Sequence, residues 1–355
     1  MVEDQFGKKI VLITGLGSIG QRHVRCLREI YDKNIEIHAY RHRNLNQIID
    51  DELRMIEGDP SKKYGIIIHE DLDVALKYKP EAVFITNPPD LHIETAIKAA
   101  NMGCNLFIEK PLSNSTKNID QLIKIVDDNA LICRVGQQFR FHPFTLLLKN
   151  YIDNQIIGEI SSAEFIYKEY LPGMHPYEDY RLSHASNKKR GGGVILSLNH
   201  YIDIVCYFFG YPNELVCFGG TNGNLDIKAE DTATIIFNYR KNNGRVNTVT
   251  ILIDFIKRPK QMEWSFTADY GSIHADFCSN MLYLNNYKNE RINENIPLSD
   301  FKRNDLFINE QKEYFDLIKG GENFQTLPDL TESKEILNLS FKIIESLESG
   351  KVFSM

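Results

Sequence analysis

The chain has no apolar run near the roughly 20 residues of a membrane span, so no transmembrane helix is expected. Its opening stretch, Met1-Val2-Glu3-Asp4-Gln5-Phe6-Gly7, is polar and acidic, unlike a secretory signal. It also lacks an excess of positive charge. Lys and Arg number 41 against 48 Asp and Glu, a formal net charge of -7. A nucleic-acid binder would carry a basic domain or stripe, and the local run Lys188-Lys189-Arg190 reads as a solvated loop. Six cysteines, at 26, 104, 133, 206, 217 and 278, form no CxxC pair. Scattered in apolar or strand-like runs, they read as reduced core thiols of a cytoplasmic protein, and no metal site is expected. There is no internal repeat, low-complexity tract or Gly/Ser linker, so two tightly joined domains are expected within 355 residues.

What is present begins with Ile10 to Thr14, a short apolar and β-branched run that predicts a buried strand. Gly15-Leu16-Gly17-Ser18-Ile19-Gly20 follows, and then a helical pattern with Val24, Leu27 and Ile30 on one face. Each glycine has a mechanical task in such a unit. Gly15 permits the tight turn, Gly17 lets a pyrophosphate approach the backbone, and Gly20 lets helix and strand pack closely. The helix N-terminus then offers N–H groups and a positive dipole end.

The second strand, Ile35 to Tyr40, ends about 20 residues after Gly20, where an NAD-binding unit usually carries an acid for the ribose 2′-hydroxyl. Here Tyr40-Arg41-His42-Arg43 stands instead. Two guanidinium groups suit a 2′-phosphate and favour NADP(H), with NAD still open; the alternative is a solvated basic turn. Further strands are expected at 65–69, 82–86, 105–108 and 131–135, with helices over 71–78, 93–102 and 116–128. This alternation implies a doubly wound parallel sheet. Thr86, Asn87 and Pro88 end the fourth strand and should face the cofactor, although Pro88-Pro89 can equally serve only to stop it. Glu109-Lys110-Pro111 ends the fifth. Lys110 is placed to donate to a substrate oxygen, to bind a cofactor phosphate, or to form an ordinary ion pair with Glu109.

The domain boundary is set at residue 136. A helix over 144–152 comes first in the second domain. Beyond 160 the runs 161–170, 232–239, 245–255, 262–268, 272–277 and 281–284 predict a mainly antiparallel sheet, with Asn242-Asn243-Gly244 as a hairpin turn. Helices are expected over 307–318 and 333–347. A polar and aromatic loop, with His175, Tyr177, Asp179 and Arg181, holds groups able to bond hydroxyls or phosphate. Gly191-Gly192-Gly193 then opens one amphipathic helix ending near Gly210, with Ser197, His200 and Asp203 on one face. A polar stripe there is structural unless it is used.

Taken together, these residues resemble the Gfo/Idh/MocA oxidoreductase family over nearly the whole chain. The resemblance rests on Gly15 to Gly20, Asn87-Pro88-Pro89-Asp90-Leu91-His92, Glu109-Lys110-Pro111-Leu112, Arg140-Phe141-His142-Pro143, Ile157 to Ile160, His200-x-x-Asp203 and Glu230 to Ala233. It implies an N-terminal Rossmann domain (1–136) and a C-terminal α/β domain (137–355) with a large open sheet. That second domain would serve substrate binding and homodimer or homotetramer assembly. It implies hydride transfer to or from a sugar, cyclitol or nucleotide-linked sugar. Lys110 and His200 would be catalytic. Gly15, Gly17, Ser18, Ile19, Gly20, Tyr40, Arg41, Arg43, Thr86, Asn87, Pro88, His92, Glu109 and Lys110 would hold the cofactor. Arg140, His175, Tyr177, Asp179, Arg181, Ser197 and Asn199 would join Lys110 and His200 at the substrate. The family's Asp four residues before the histidine is Leu196 here, with Ser197 the nearest polar group. Two rival readings are a redox-neutral sugar hydrolase or epimerase that retains its cofactor, and a non-catalytic NADP(H)-binding sensor.

Overall fold

The computed structural model describes residues 9–41, 47–241, 244–288, 291–321 and 326–355. Two compact units emerge. One is Met1–Gln138 with Lys302–Lys334, and the other is Phe139–Phe301 with Glu335–Met355. The sequence division at 136 falls close to the Gln138 boundary, but Lys302–Lys334, near the C-terminus, belongs with the first unit.

That first unit contains β1 (Lys9–Thr14), β2 (Ile35–Tyr40), a small hairpin of β3 (Gln47–Ile49) and β4 (Met55–Glu57), β5 (Ile66–His69), β6 (Ala82–Ile85), β7 (Asn105–Ile108) and β8 (Cys133–Val135). Apart from the hairpin, the strands form a parallel sheet in the order β5-β2-β1-β6-β7-β8. All four residues of β6 are buried, as expected of a strand covered on both faces. Its N-terminal segment carries the helices α1 (Ser18–Tyr31), α2 (His92–Asn101) and α3 (Ile119–Asp128). Register aligns Thr14 with Tyr40 and Ile85, and Ile85 with Ile108. The carboxyl ends of β1, β2, β6 and β7 thus share one edge, which carries Gly15, Arg41, Thr86 and Glu109.

The second unit opens with α4 (Pro143–Asp153) and includes α5 (Asn199–Phe209). Its strands are β9 (Ile160–Lys168), β10 (Glu214–Gly220), β11 (Thr232–Arg240), β12 (Val246–Asp254), β13 (Gln261–Ala268), β14 (Gly271–Asp276), β15 (Met281–Asn286), β16 (Ile292–Pro297) and β17 (Phe353–Ser354). They form one sheet in the order β16-β15-β14-β13-β9-β12-β11-β10-β17. The β9–β12 pair is parallel and the others are antiparallel. Alternate residues of β11 to β13 are buried, so one face carries the core. Trp264 packs there 5.3 Å from Phe165 and 5.9 Å from Phe208, ring to ring. β11 and β12 pair as a hairpin, although Asn242 and Asn243 lie outside the described residues.

α6 (Arg303–Ile318) belongs to the first unit, and α7 (Leu330–Ser349) ends in the second. The single helix expected from Val194 to Gly210 is instead two pieces, Val194–Ser197 and α5. Leu198 leaves the helical region at φ −103 and ψ 24, so Ser197 does not share a continuous helix with His200 and Asp203. Among the described residues, no single helix is long and apolar enough to cross a membrane.

Candidate active site

In the first unit the glycine turn has the geometry its sequence predicts. Gly15 takes φ +109, and its N–H donates to the Tyr40 carbonyl at 2.9 Å. A Cβ on Gly20 would sit 2.0 Å from the Gly15 carbonyl oxygen, so only glycine allows α1 to leave at this angle. Thr86 Oγ1 donates to that same carbonyl at 2.8 Å. A Cβ on Gly17 would meet nothing within 4 Å. Gly17 caps α1 without a side chain, and the first turn, which holds Ser18 and Ile19, has no acid. This cradle fits a pyrophosphate: backbone approach is unhindered and the helix dipole favours an anion.

At the end of β2, Arg41 donates its backbone N–H to the His69 carbonyl at 3.2 Å. The Asp59 carboxyl is held below its usual range chiefly by Ser61 hydrogen bonds, with a smaller contribution from Arg41. An acid therefore shares Arg41's neighbourhood, a feature the sequence did not signal. His42 and Arg43 lie outside the described residues.

Asn87 Nδ2 donates to Thr95 Oγ1 at 2.9 Å. Buried His92 ties two turns together, with Nε2 2.7 Å from the Asn87 carbonyl and Nδ1 3.1 Å from that of Pro111. Pro88 and Lys110 therefore sit on loops braced by one ring. Burial pulls the Lys110 ammonium down to about 8, opposed by Glu109 and assisted by Arg303. A lysine poised near neutrality is the kind of group an active site tunes.

Glu109 turns inward. Its Oε1 lies 2.7 Å from His23 Nε2, and its Oε2 accepts the Lys110 backbone N–H at 3.2 Å. Gln311 Nε2 donates to His23 Nδ1 at 2.8 Å, so Nε2 is the nitrogen that donates to Glu109. The His23 ring sits 5.3, 5.2 and 5.9 Å from the rings of Phe84, Phe107 and Phe307. Beside it, Glu310 is fully buried, and neither of its carboxyl oxygens has a hydrogen-bond partner among the described residues.

In the second unit, His200 is buried, its ring 4.8 Å from Phe139 and 4.7 Å from Tyr201. One turn on, Asp203 accepts from Arg140 Nε at 2.9 Å and NH2 at 2.6 Å. This bidentate pair fixes the helix face that carries His200, and occupies the guanidinium that the sequence offered to substrate. Asn199 Nδ2 donates to Ser340 Oγ at 2.7 Å, joining α5 to α7. Leu196 is buried. In the loop, Arg181 grips Asp179 at 2.6 Å at the surface, and His175 Nδ1 lies 3.3 Å from Glu178, its ring beside Tyr177.

Residues 9–137 match the family description "Oxidoreductase family, NAD-binding Rossmann fold", and residues 145–274 match "GFO/IDH/MocA C-terminal domain". The chain belongs to the Gfo/Idh/MocA family. Among Gfo/Idh/MocA relatives it is 26% identical over 179 residues to "Oxidoreductase P35" of Formosa agariphila, covering 50% of this chain and 54% of that one. It is 32% identical over 131 residues to "scyllo-inositol 2-dehydrogenase (NAD(+))" of Bacillus subtilis, covering 37% and 35%. The chain spans about half the length of the curated relatives it matches. In fold it is similar to a levoglucosan dehydrogenase solved with NADH, with a TM-score of 0.79, 18% identity and 98% coverage of both chains. The family motifs place Lys110 and the glycine cradle on one edge of one sheet. They carried no mark of Glu310 or Gln311.

Proposed function

We propose that this Gfo/Idh/MocA chain is an NADP(H)-dependent oxidoreductase acting on a CH–OH group of a sugar, cyclitol or nucleotide-linked sugar. The observation that carries this is Lys110, tuned to about 8, on the same sheet edge as the Gly15–Gly20 cradle. The bound dinucleotide supplies the hydride chemistry, which no side chain can. Gly15, Gly17 and the first turn of α1 hold its phosphates. Arg41 contacts the 2′-phosphate, with Arg43 assigned the same role. Lys110 donates to the oxygen on which charge develops, and His200 takes or gives the hydroxyl proton. The open sheet of the second unit pairs with that of another copy, which light scattering would detect as a dimer or tetramer.

The test is kinetic. Lys110→Ala should lower kcat by about 10²–10³-fold, and His200→Ala by about 10²–10⁴-fold, with NADPH affinity nearly unchanged in both. Turnover of no sugar in a broad screen would overturn the reading. For the cofactor, calorimetric titration should give NADPH an advantage of about tenfold or more over NADH, reduced in Arg41→Ala.

A further inference from the structure

Behind Lys110 lies a group of side chains that the proposed reaction does not use. One nitrogen of His23, one oxygen of Glu109 and one of Glu310 all lie within 4.8 Å of one another. The three are buried. Glu109 has two donors, His23 Nε2 and the Lys110 backbone N–H, whereas Glu310 has none among the described residues. Two facing carboxyls with donors for only one cannot both hold charge in an apolar interior.

The titratable and charged groups that face this spot come from three helices. Arg22, His23 and Cys26 are on α1, His92 is on α2, and Arg303, Glu310 and Glu313 are on α6. Arg303 acts on Lys110 as a like charge. Glu313 is engaged elsewhere, accepting the Leu327 N–H at 2.7 Å.

We propose that Glu109 is a positioning residue, held by His23 as the counter-charge that keeps Lys110 protonated, while Glu310 stays neutral so that the pocket carries one negative charge. The inference rests on the reading of Lys110 as a working ammonium. Two trends agree with the arrangement. Glu109 opposes the loss of the Lys110 proton to burial, and burial followed by Glu109 pushes Glu310 well above the usual carboxyl range. His23 acts at one remove, because Gln311 orients its ring and Phe84, Phe107 and Phe307 pack around it.

The experiment measures Lys110 protonation directly. The full-length protein is trace-labelled with acetic anhydride across pH 6 to 11 (roughly the titration range of a shifted lysine), and modification at Lys110 is read by peptide mass spectrometry. The parent midpoint should fall near 8. Glu109→Gln should lower it by about one unit or more, raising the ratio of unprotonated to protonated Lys110 near pH 7 about tenfold. The alkaline limb of kcat should move by the same amount. His23→Phe should lower the midpoint too, since it removes the donor that holds the Glu109 carboxylate in place. Glu310→Gln should leave the midpoint where it is. An unmoved midpoint in both Glu109→Gln and His23→Phe would overturn the proposal. So would a fall in Glu310→Gln, which would show that Glu310 carries charge. Should Glu109→Gln not fold, His23→Phe and Glu310→Gln still decide. Retained kcat in Lys110→Ala would sink the catalytic role of the lysine, while the labelling would still report its counter-charge.

Discussion

Both units bury carboxylates, and they neutralise them differently. In the second unit, Asp203 meets Arg140 through two hydrogen bonds of 2.9 and 2.6 Å, and the guanidinium lies 4.8 Å from the Tyr207 ring. Charge meets charge on the spot. In the first unit, Glu109 leans on an imidazole N–H and Glu310 on no hydrogen bond. There a proton takes the place of a cation. A closed ion pair holds a frame still, whereas a pocket balanced by a proton keeps a neighbouring side chain near its titration point.

The largest expected effect comes from opening the closed pair. Asp203→Ala leaves a buried guanidinium uncompensated and should cost about 3–5 kcal/mol in urea unfolding. The double change Arg140→Met, Asp203→Leu should recover most of that loss. If the double variant is as unstable as the single one, the pair is not the closed unit described. A smaller effect is expected in the first unit. His23→Phe keeps the aromatic packing but removes the donor to Glu109, at a cost of about 1–3 kcal/mol. A cost as great as that of Asp203→Ala would erase the distinction between the two regions.

The smallest effect is one of sign. Glu310 has a folded-state value raised above 4.5 by burial and Glu109. Its contribution to stability is therefore complete below 4.5 and is lost as pH rises through the folded value. Glu310→Gln removes that loss. Its melting temperature should exceed the parent's at pH 8, and the difference should shrink toward pH 4. A difference that is flat in pH would mean that Glu310 does not titrate on folding.

The cradle was legible because its signals are local. β-branched residues end in Gly15, and the apolar period changes within six residues. Lys110 was legible because a short apolar run stops at Glu109. The break at Leu198 was not, since the helical period from Val194 to Phe209 crosses the bend without a proline or glycine. β16 escaped notice because Ile292 to Pro297 is an exposed edge with no buried period. The ion pair of Arg140 with Asp203 joins residues 63 apart in sequence, and the contact of His23 with Gln311 joins residues 288 apart. On α6, the polar Glu310, Gln311 and Glu313 are all buried. The groups they face lie in segments that no local pattern connects to them.

That distance has a consequence for how the protein is made. Synthesis delivers β1 to β8 early, with His23 and Glu109 already in place, but Arg303–Ile318 emerges only after every residue of Phe139–Phe301. Until then, the face of α1 that α6 covers is bare, and His23 lacks the amide that fixes its ring. A fragment released at Gln138 would carry every glycine of the dinucleotide cradle and still lack one wall. Closing the first unit needs a contact of very long sequence separation, which places its completion late in folding. The nascent chain therefore has a recognisable nucleotide-binding motif well before it has a finished nucleotide-binding domain.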